Sequence, residues 1–160
     1  MQPYVTELRA ILDAAVPRLQ QMDEAQASQR PAPGKWSPKE IVGHMIDSAS
    51  NNHQRFVRAQ MTEDLVFPGY EQERWVEVQG HAGAPWNELV GLWHLYNRQI
   101  ARVMANASAT ERERPRARHN LDQIATYGVP PSEPGTLDYL MADYVKHLRR
   151  HVAQIFPDFA

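Results

Sequence analysis

The chain has 160 residues, 42% of them hydrophobic and 22% charged, and this size and balance predict one globular domain spanning residues 1–160. Seventeen Lys and Arg against 19 Asp and Glu give a formal net charge of -2, which disfavours general nucleic-acid binding because no excess positive charge is available for a phosphate backbone. The absence of Cys excludes disulfides, thiolate zinc sites, iron–sulfur clusters and a cysteine nucleophile, so any metal ligand must be a His or a carboxylate.

Four long helices are predicted, and the first two have clear start signals. The first begins at Pro3 and carries apolar residues at three- and four-residue steps as far as Met22. A Pro- and Gly-rich stretch, residues 30–36, makes a connection. The second helix begins at residues 37–40, where Ser is the N-cap, Pro takes the first helical position and Glu completes a capping box. We predict that it runs to about Met61.

The third helix is separated from the second by a long connection. This connection covers residues 62–84, and within it residues 70–79 are predicted to form a short helix. Connections of this length are often functional. The third helix opens at Pro85 and presents one broad apolar face as far as Met104.

The fourth helix follows a polar, Pro-rich stretch, residues 107–135. We expect loop there, with a short helix near residues 121–125 and a solvated, mobile segment at the arginine-rich residues 112–118. The fourth helix begins after Gly135, with Thr136 as a candidate cap, and ends at Pro157. Strand signals are weak throughout. The predicted fold is therefore all-α, an antiparallel four-helix bundle.

Two histidines of the fourth helix have the spacing of a metal-binding pair. His151 lies inside the apolar arc of this helix and His147 lies at its edge, four residues away. Side chains so spaced project side by side from successive turns and can meet on one ion. The residue after the first His is Leu148 rather than the Glu of zinc proteases, so a zincin site is rejected. The alternative is a pair of hydrogen-bonded core histidines, since this spacing is common by chance.

The second helix carries a polar stripe beside its apolar face. Its members are His44, Ser48, Asn51, Asn52 and Arg55. Such a stripe is typical of the wall of a pocket between helices. The alternative interpretation is a solvated helix edge.

Further polar residues are candidates for the same pocket. Asn97 lies within the apolar arc of the third helix, where its amide needs hydrogen-bond partners, and it is either a support for the site or purely structural. Tyr144, from the apolar arc of the fourth helix, and Asp47, one turn along from His44, join this set. The remaining histidines have no ligand spacing, so surface or capping roles are expected for them: His53, His81, His94 and His119.

Four segments in order resemble the DinB/YfiT-like superfamily of metalloenzymes, and the resemblance covers nearly the whole chain. These segments are WSPKEIVGHMID at residues 36–47, YEQERWV at 70–76, LWHLYN at 92–97 and HLRRH at 147–151. The resemblance implies a four-helix bundle with an unusual mirror variant of up-and-down connectivity, frequently assembled as a homodimer. It also implies a metal bound by one His of the second helix and two of the last. These ligands would be His44, His147 and His151.

The resemblance also implies a range of activities. Three neutral imidazoles suit nickel or zinc and leave an open position for water, substrate or a thiol. Related superfamily members include thiol-dependent S-transferases, a thiol-dependent isomerase and metal-dependent hydrolases. We therefore expect an enzyme that transfers a low-molecular-weight thiol or hydrolyses a small substrate. Candidate carboxylates are Asp47, Glu71 and Glu73, but none is identified as a general base.

The main alternative is a non-catalytic helical bundle in which the metal or the histidine cluster is structural, with a stress-associated role. Such a site would be closed by a fourth protein ligand. DNA-damage-associated binding, suggested only by the superfamily's name, is disfavoured by the net charge of -2.

The cellular compartment is predicted from missing signals. The first ten residues contain Glu7 and Arg9 where a secretory signal needs an apolar run, and no stretch approaches the roughly 18 apolar residues of a membrane span. We therefore expect a cytoplasmic protein that acts on a small-molecule substrate, with no nucleic-acid or membrane partner.

Overall fold

The computed structural model covers all 160 residues and contains eight α-helices, two short 3₁₀ turns and two isolated β-bridges. The helices are α1 (Pro3–Gln21), α2 (Glu24–Ser28), α3 (Pro38–Arg58), α4 (Gln72–Gln79), α5 (Trp86–Asn106), α6 (Ala109–Glu113), α7 (Leu121–Ile124) and α8 (Leu137–Ile155). The four predicted long helices are confirmed as α1, α3, α5 and α8. None of the helices combines the length and the apolar character that crossing a membrane requires.

The long helices form a bundle in which chain neighbours are not always neighbours in space. Helix α1 packs against α5 and α8, and α3 packs against the same two helices. The pairs α1 and α3, and α5 and α8, therefore stand on opposite corners of the bundle. In a simple up-and-down bundle each helix packs beside the next one in the chain. The long connections before α3 and α8 each lead from one helix to the diagonally opposite one. The site described below lies where α3 contacts α8.

Two short helices were not predicted, and α3 ends close to its expected boundary. Helix α2 is started by Asp23, whose side chain accepts a hydrogen bond from the backbone of Gln26 in a capping box, and α6 is started by Ser108. Both have five residues, too few to show an apolar period. Helix α3 ends at Arg58, three residues before the expected end at Met61.

The arginine-rich segment 112–118 is exposed at Glu113, Pro115, Ala117 and Arg118, as its charges indicated, but not at Arg116. Arg116 is buried, contacts Glu111 at 3.2 Å and donates to the carbonyl of Ala59 at 2.9 Å. Its backbone also exchanges two hydrogen bonds with Gly135, of 2.8 and 3.0 Å. Ala59 and Gly135 lie far from Arg116 in the chain, so the run of charges gave no sign of these two partners.

Helix α3 begins as predicted. The Ser37 hydroxyl accepts from the backbone N–H of Glu40, and the Glu40 carboxylate accepts from the backbone N–H of Ser37 at 2.8 Å. Both residues are buried, and Glu40 also pairs with Arg30. The cap is thus packed into the bundle, which sets where the first turn of α3 begins.

Replacing Ser37 with alanine is expected to lower the free energy of unfolding by about 1 kcal/mol, because one backbone N–H of the first turn loses its acceptor. Urea denaturation measures this change. A Ser37→Gly variant is expected to lose only a few tenths of a kcal/mol, since glycine is tolerated at an N-cap. Equal losses in the two variants would contradict a capping role for the hydroxyl.

Candidate metal centre

Three imidazole rings converge where α3 packs against α8. His44 comes from α3, and His147 and His151 come from successive turns of α8. Their Nε2 atoms lie 3.0 Å (His147 to His151), 3.1 Å (His44 to His151) and 3.4 Å (His44 to His147) apart. We call these three residues the histidine cluster. Nitrogens that bind one ion at about 2.0–2.1 Å in tetrahedral or octahedral geometry lie roughly 2.8–3.4 Å apart, so the spacing fits a shared divalent ion.

Hydrogen bonds alone do not satisfy this arrangement. An imidazole Nε2 either carries a proton and donates, or carries a lone pair and accepts, but never both. Three Nε2 atoms in mutual contact therefore leave at least one pair in which two lone pairs or two protons face each other. A cation between the three lone pairs removes this conflict. The donor set thus fits a metal ion better than it fits a network of core histidines.

The rings are neutral near pH 7 and are competent ligands. Burial, together with the neighbouring imidazoles of His151 and His81, lowers the pKa of His44 to about 3. Burial also lowers the pKa of His147 to about 3, with added effects from His151, His44 and Arg150. The pKa of His151 is lowered by burial as well, partly opposed by a hydrogen bond to Gln154.

The Nδ1 atoms of the three rings differ from one another in their hydrogen-bond partners. Nδ1 of His151 lies 3.0 Å from Oε1 of Gln154, and Nδ1 of His147 lies 3.5 Å from the Ser48 hydroxyl. Nδ1 of His44 is sealed from solvent and has no hydrogen-bond partner. A partner at Nδ1 fixes the tautomer that presents a lone pair at Nε2. Gln154 was not among the predicted site residues, although its place three residues after His151 in the same helix was a signal for it.

Replacing Gln154 with leucine is expected to weaken metal binding by about tenfold, because the Nδ1 proton of His151 loses its acceptor. This loss of metal affinity lies at the lower end of the range of about 10–100-fold for groups that orient a metal ligand, because the contact with Gln154 is exposed. Gln154→Glu keeps an acceptor and is expected to bind metal at least as tightly as the parent. Competition titration with a chromogenic chelator measures both affinities. Equal weakening in both variants would contradict the orienting role.

A polar cavity of about 120 Å³ borders the histidine cluster at His147. We call it the site cavity. It is lined by four residues predicted for the pocket, namely Ser48, Asn52, Arg55 and Tyr144, and also by Tyr70. Tyr70 comes from the long connection between α3 and α5, immediately before α4. Burial raises the pKa of Tyr70 to about 12, so its hydroxyl is a neutral hydrogen-bond donor near pH 7.

Asp47 and His81 form a buried pair beside the cluster. Oδ1 of Asp47 lies 3.2 Å from Nε2 of His81 and accepts from Gln79 at 2.7 Å. The imidazole of His81 packs directly on Gly43, where any side chain would collide with it. The surface or capping role expected for His81 was therefore wrong, because the long connection folds back over α3 and buries the ring.

The remaining predicted residues lie around this centre. Asn97 is buried, accepts from the Tyr144 hydroxyl at 2.5 Å and donates to the carbonyl of Trp93, so it joins α5 to α8 behind the site cavity. Asn51 donates to the carbonyl of Asp47 and lines an outer groove rather than the site cavity. Glu71 and Glu73 are exposed.

The chain matches one protein family along most of its length. The sequence model of the DinB superfamily matches residues 7–155. A candidate metal-dependent hydrolase of Bacillus mycoides (strain KBAB4) is 22% identical over 152 residues, which cover 95% of this chain and 81% of that protein. A second candidate metal-dependent hydrolase, from Bacillus cereus (strain B4264), is 23% identical over 75 residues, which cover 47% of this chain and 43% of the relative.

Two solved structures share the fold. YfiT from Bacillus subtilis, described as a probable metal-dependent hydrolase with an unusual four-helix bundle topology, has a TM-score of 0.76 and 19% identity, covering 98% of this chain and 83% of YfiT. The mycothiol-dependent maleylpyruvate isomerase has a TM-score of 0.70 and 11% identity, covering 96% of this chain and 59% of the isomerase. At these identities the likeness concerns the fold, and it agrees with the diagonal helix order described above.

Proposed function

The chain belongs to the DinB superfamily, and we propose that it is a metal-dependent enzyme that transfers a low-molecular-weight thiol to a small substrate. The observation that carries this proposal is the convergence of three neutral imidazole nitrogens within 3.4 Å of one another, next to a polar cavity. The proposed ligands are His44, His147 and His151, and the proposed ion is nickel or zinc, both of which suit imidazole donors.

The residues of the site have separate tasks. A divalent ion held by three neutral ligands keeps its full charge and supplies Lewis acidity, which promotes ionisation of a water or a thiol. Gln154 and Ser48 hold the rings of His151 and His147 so that Nε2 faces the centre. Tyr70 and Tyr144 line the site cavity and supply part of its wall.

The carboxylates near the site favour thiol transfer over hydrolysis. Asp143 is the only carboxylate that lines the site cavity, and its two oxygens accept the backbone N–H groups of Thr126 and Tyr127 at 2.8 and 2.9 Å. Asp47 contacts His81 and Gln79 through Oδ1, whereas its Oδ2 is buried without a hydrogen-bond partner, and Asp47 does not line the site cavity. The site cavity therefore contains no unengaged carboxylate that could act as a general base on water, whereas a thiol brings its own nucleophile.

Hydrolysis of a small substrate is the second candidate, favoured by the descriptions of the Bacillus relatives. A non-catalytic, structural metal site would be closed by a fourth protein ligand. The only cluster of His or carboxylate side chains with metal-ligand spacing contains three residues and no fourth. Three protein ligands leave a coordination position open, which supports a reactive metal site rather than a structural one.

The proposal is tested with protein loaded with zinc or nickel, an electrophilic aryl chloride and a panel of low-molecular-weight thiols. In the expected reaction the thiol sulfur bonds to the aryl carbon, chloride leaves and the thiol proton passes to solvent. Product formation should require both metal and thiol and should be lost in a His151→Ala variant. Metal-dependent cleavage of esters or amides in the absence of thiol would favour a hydrolase over a thiol transferase. Neither activity in a metal-loaded protein would contradict a catalytic role for these substrate classes.

A further inference from the structure

Arg55 is the one buried cation of the chain that has no carboxylate partner. The other two, Lys39 and Arg116, contact Glu24 and Glu111. Arg55 is 4% exposed and forms no ion pair. A buried charge without a counter-charge is costly, and an anion that enters from outside would offset that cost.

The guanidinium is only partly satisfied by the protein. One terminal nitrogen donates to Oδ1 of Asn52 at 3.3 Å, and the other donates to the carbonyl of Pro68 at 2.8 Å. A guanidinium has five N–H donors, so donors remain free. No nitrogen of Arg55 is both sealed and unpaired, in contrast to Nε and one terminal nitrogen of Arg116. The free donors of Arg55 are therefore not sealed, and the residue lines both the site cavity and the outer groove beside Asn51.

Arg55 stands at a fixed distance from the histidine cluster. Asn52 donates to the Ser48 hydroxyl at 3.3 Å, and this hydroxyl lies 3.5 Å from Nδ1 of His147. Ser48, Asn52 and Arg55 thus form one line of polar contacts along α3. Ser48 and Arg55 are seven residues apart, or about 10 Å along the helix axis. A small molecule can span this distance from one end of the site cavity to the other.

The other ionisable groups around the cavity leave the charge of Arg55 uncompensated. Burial lowers the pKa of Arg55, and the only neighbouring group that opposes this effect is Tyr70, a phenol. Asp143 lines the same cavity, but both of its oxygens are taken by backbone N–H groups. Oδ1 of Asp47 contacts His81 and Gln79, and Asp47 forms no ion pair with Arg55.

We propose that Arg55 binds an anionic group of the substrate, a carboxylate or a phosphate, while the reacting end of the substrate lies at the histidine cluster. A planar guanidinium with free donors matches both groups, which it can bind through two parallel hydrogen bonds. The position of the reacting end rests on the proposed function. Anion binding at Arg55 does not, because none of its contacts involves a metal.

The test uses metal-free protein freed of chelator and follows the Nε–Hε signal of Arg55 by NMR at constant ionic strength. Acetate and inorganic phosphate are titrated separately to distinguish the two anions, with acetamide as the neutral match for acetate. The expected result is a saturable shift with at least one anion and none with acetamide. Arg55→Gln should weaken this binding by at least about tenfold. Arg58→Gln, an exposed arginine one turn along α3, should leave it unchanged.

The inference is overturned if neither anion shifts the Arg55 signal, if acetamide shifts it equally, or if Arg58→Gln weakens binding as much as Arg55→Gln does. If the Arg55→Gln variant does not fold, the signal of the parent protein decides alone. Metal content is measured on the same preparations. An anion site in a protein that binds no metal would refute the proposed function alone, and metal binding without an anion site would refute this inference alone.

Discussion

Alanine at His44, His147 or His151 is expected to weaken binding of zinc or nickel by more than about 100-fold, because each variant removes one of three ligands, and removing even a group that only orients a ligand costs 10–100-fold. Helix content should change little, since α3 and α8 each bury many apolar residues besides these histidines. Isothermal titration measures the affinities, and circular dichroism measures the helix content.

The matched control for these variants is His94→Ala. His94 lies on α5 outside the cluster, so its loss should leave the affinity unchanged. A cluster variant that binds metal as tightly as the parent would remove that residue from the ligand set. Equal weakening by His94→Ala would show that the metal binds to histidines without regard to their position.

Gly43→Ala is expected to lower the free energy of unfolding by about 3 kcal/mol, at the upper end of the range for overpacking. A Cβ atom at this position would lie 2.6 Å from Cβ of His81 and closer still to its ring. The ring would have to leave its place, which breaks the contact with Asp47 and displaces the connection between α4 and α5. In a chain of this length the melting temperature should fall by roughly 6–12 °C.

Gly91→Ala provides the control, because it makes the same substitution within another long helix. Nothing lies within 4 Å of a Cβ at Gly91, and α5 continues on both sides of it. Alanine is the better helix former, so this variant should be more stable than the parent by about 0.5–1 kcal/mol. Opposite signs for the two variants are the expected outcome of calorimetry. A Gly43→Ala variant as stable as the parent would refute the close packing of His81 on α3.

The parts of the fold that were predictable from sequence depend on local signals. The capping box at Ser37 and Glu40 and the cap at Thr136 set the starts of α3 and α8 correctly. The apolar periods of the four long helices were sufficient to predict the bundle. The pair His147 and His151 was readable because both residues lie on one helix, four positions apart.

Other features depend on contacts between distant parts of the chain and have no local signal. The spacing on α8 gives no information about His44, which was predicted as a ligand from a resemblance to known proteins. The packing of α3 against α8 places His44 beside the pair. His81 and Tyr70 come from the long connection between α3 and α5, whose path over α3 is determined by tertiary packing. The burial of Arg116 arises in the same way, from partners more than 15 residues away.

The central claim is that three histidines from two helices hold one divalent ion. The measurement that tests it most directly is elemental analysis of the protein purified without an immobilised-metal column, beside the His147→Ala variant and after titration of both with zinc and nickel. About one ion per chain in the parent and none in the variant is the predicted result. Absence of metal from the parent, together with no binding on titration, would contradict the claim.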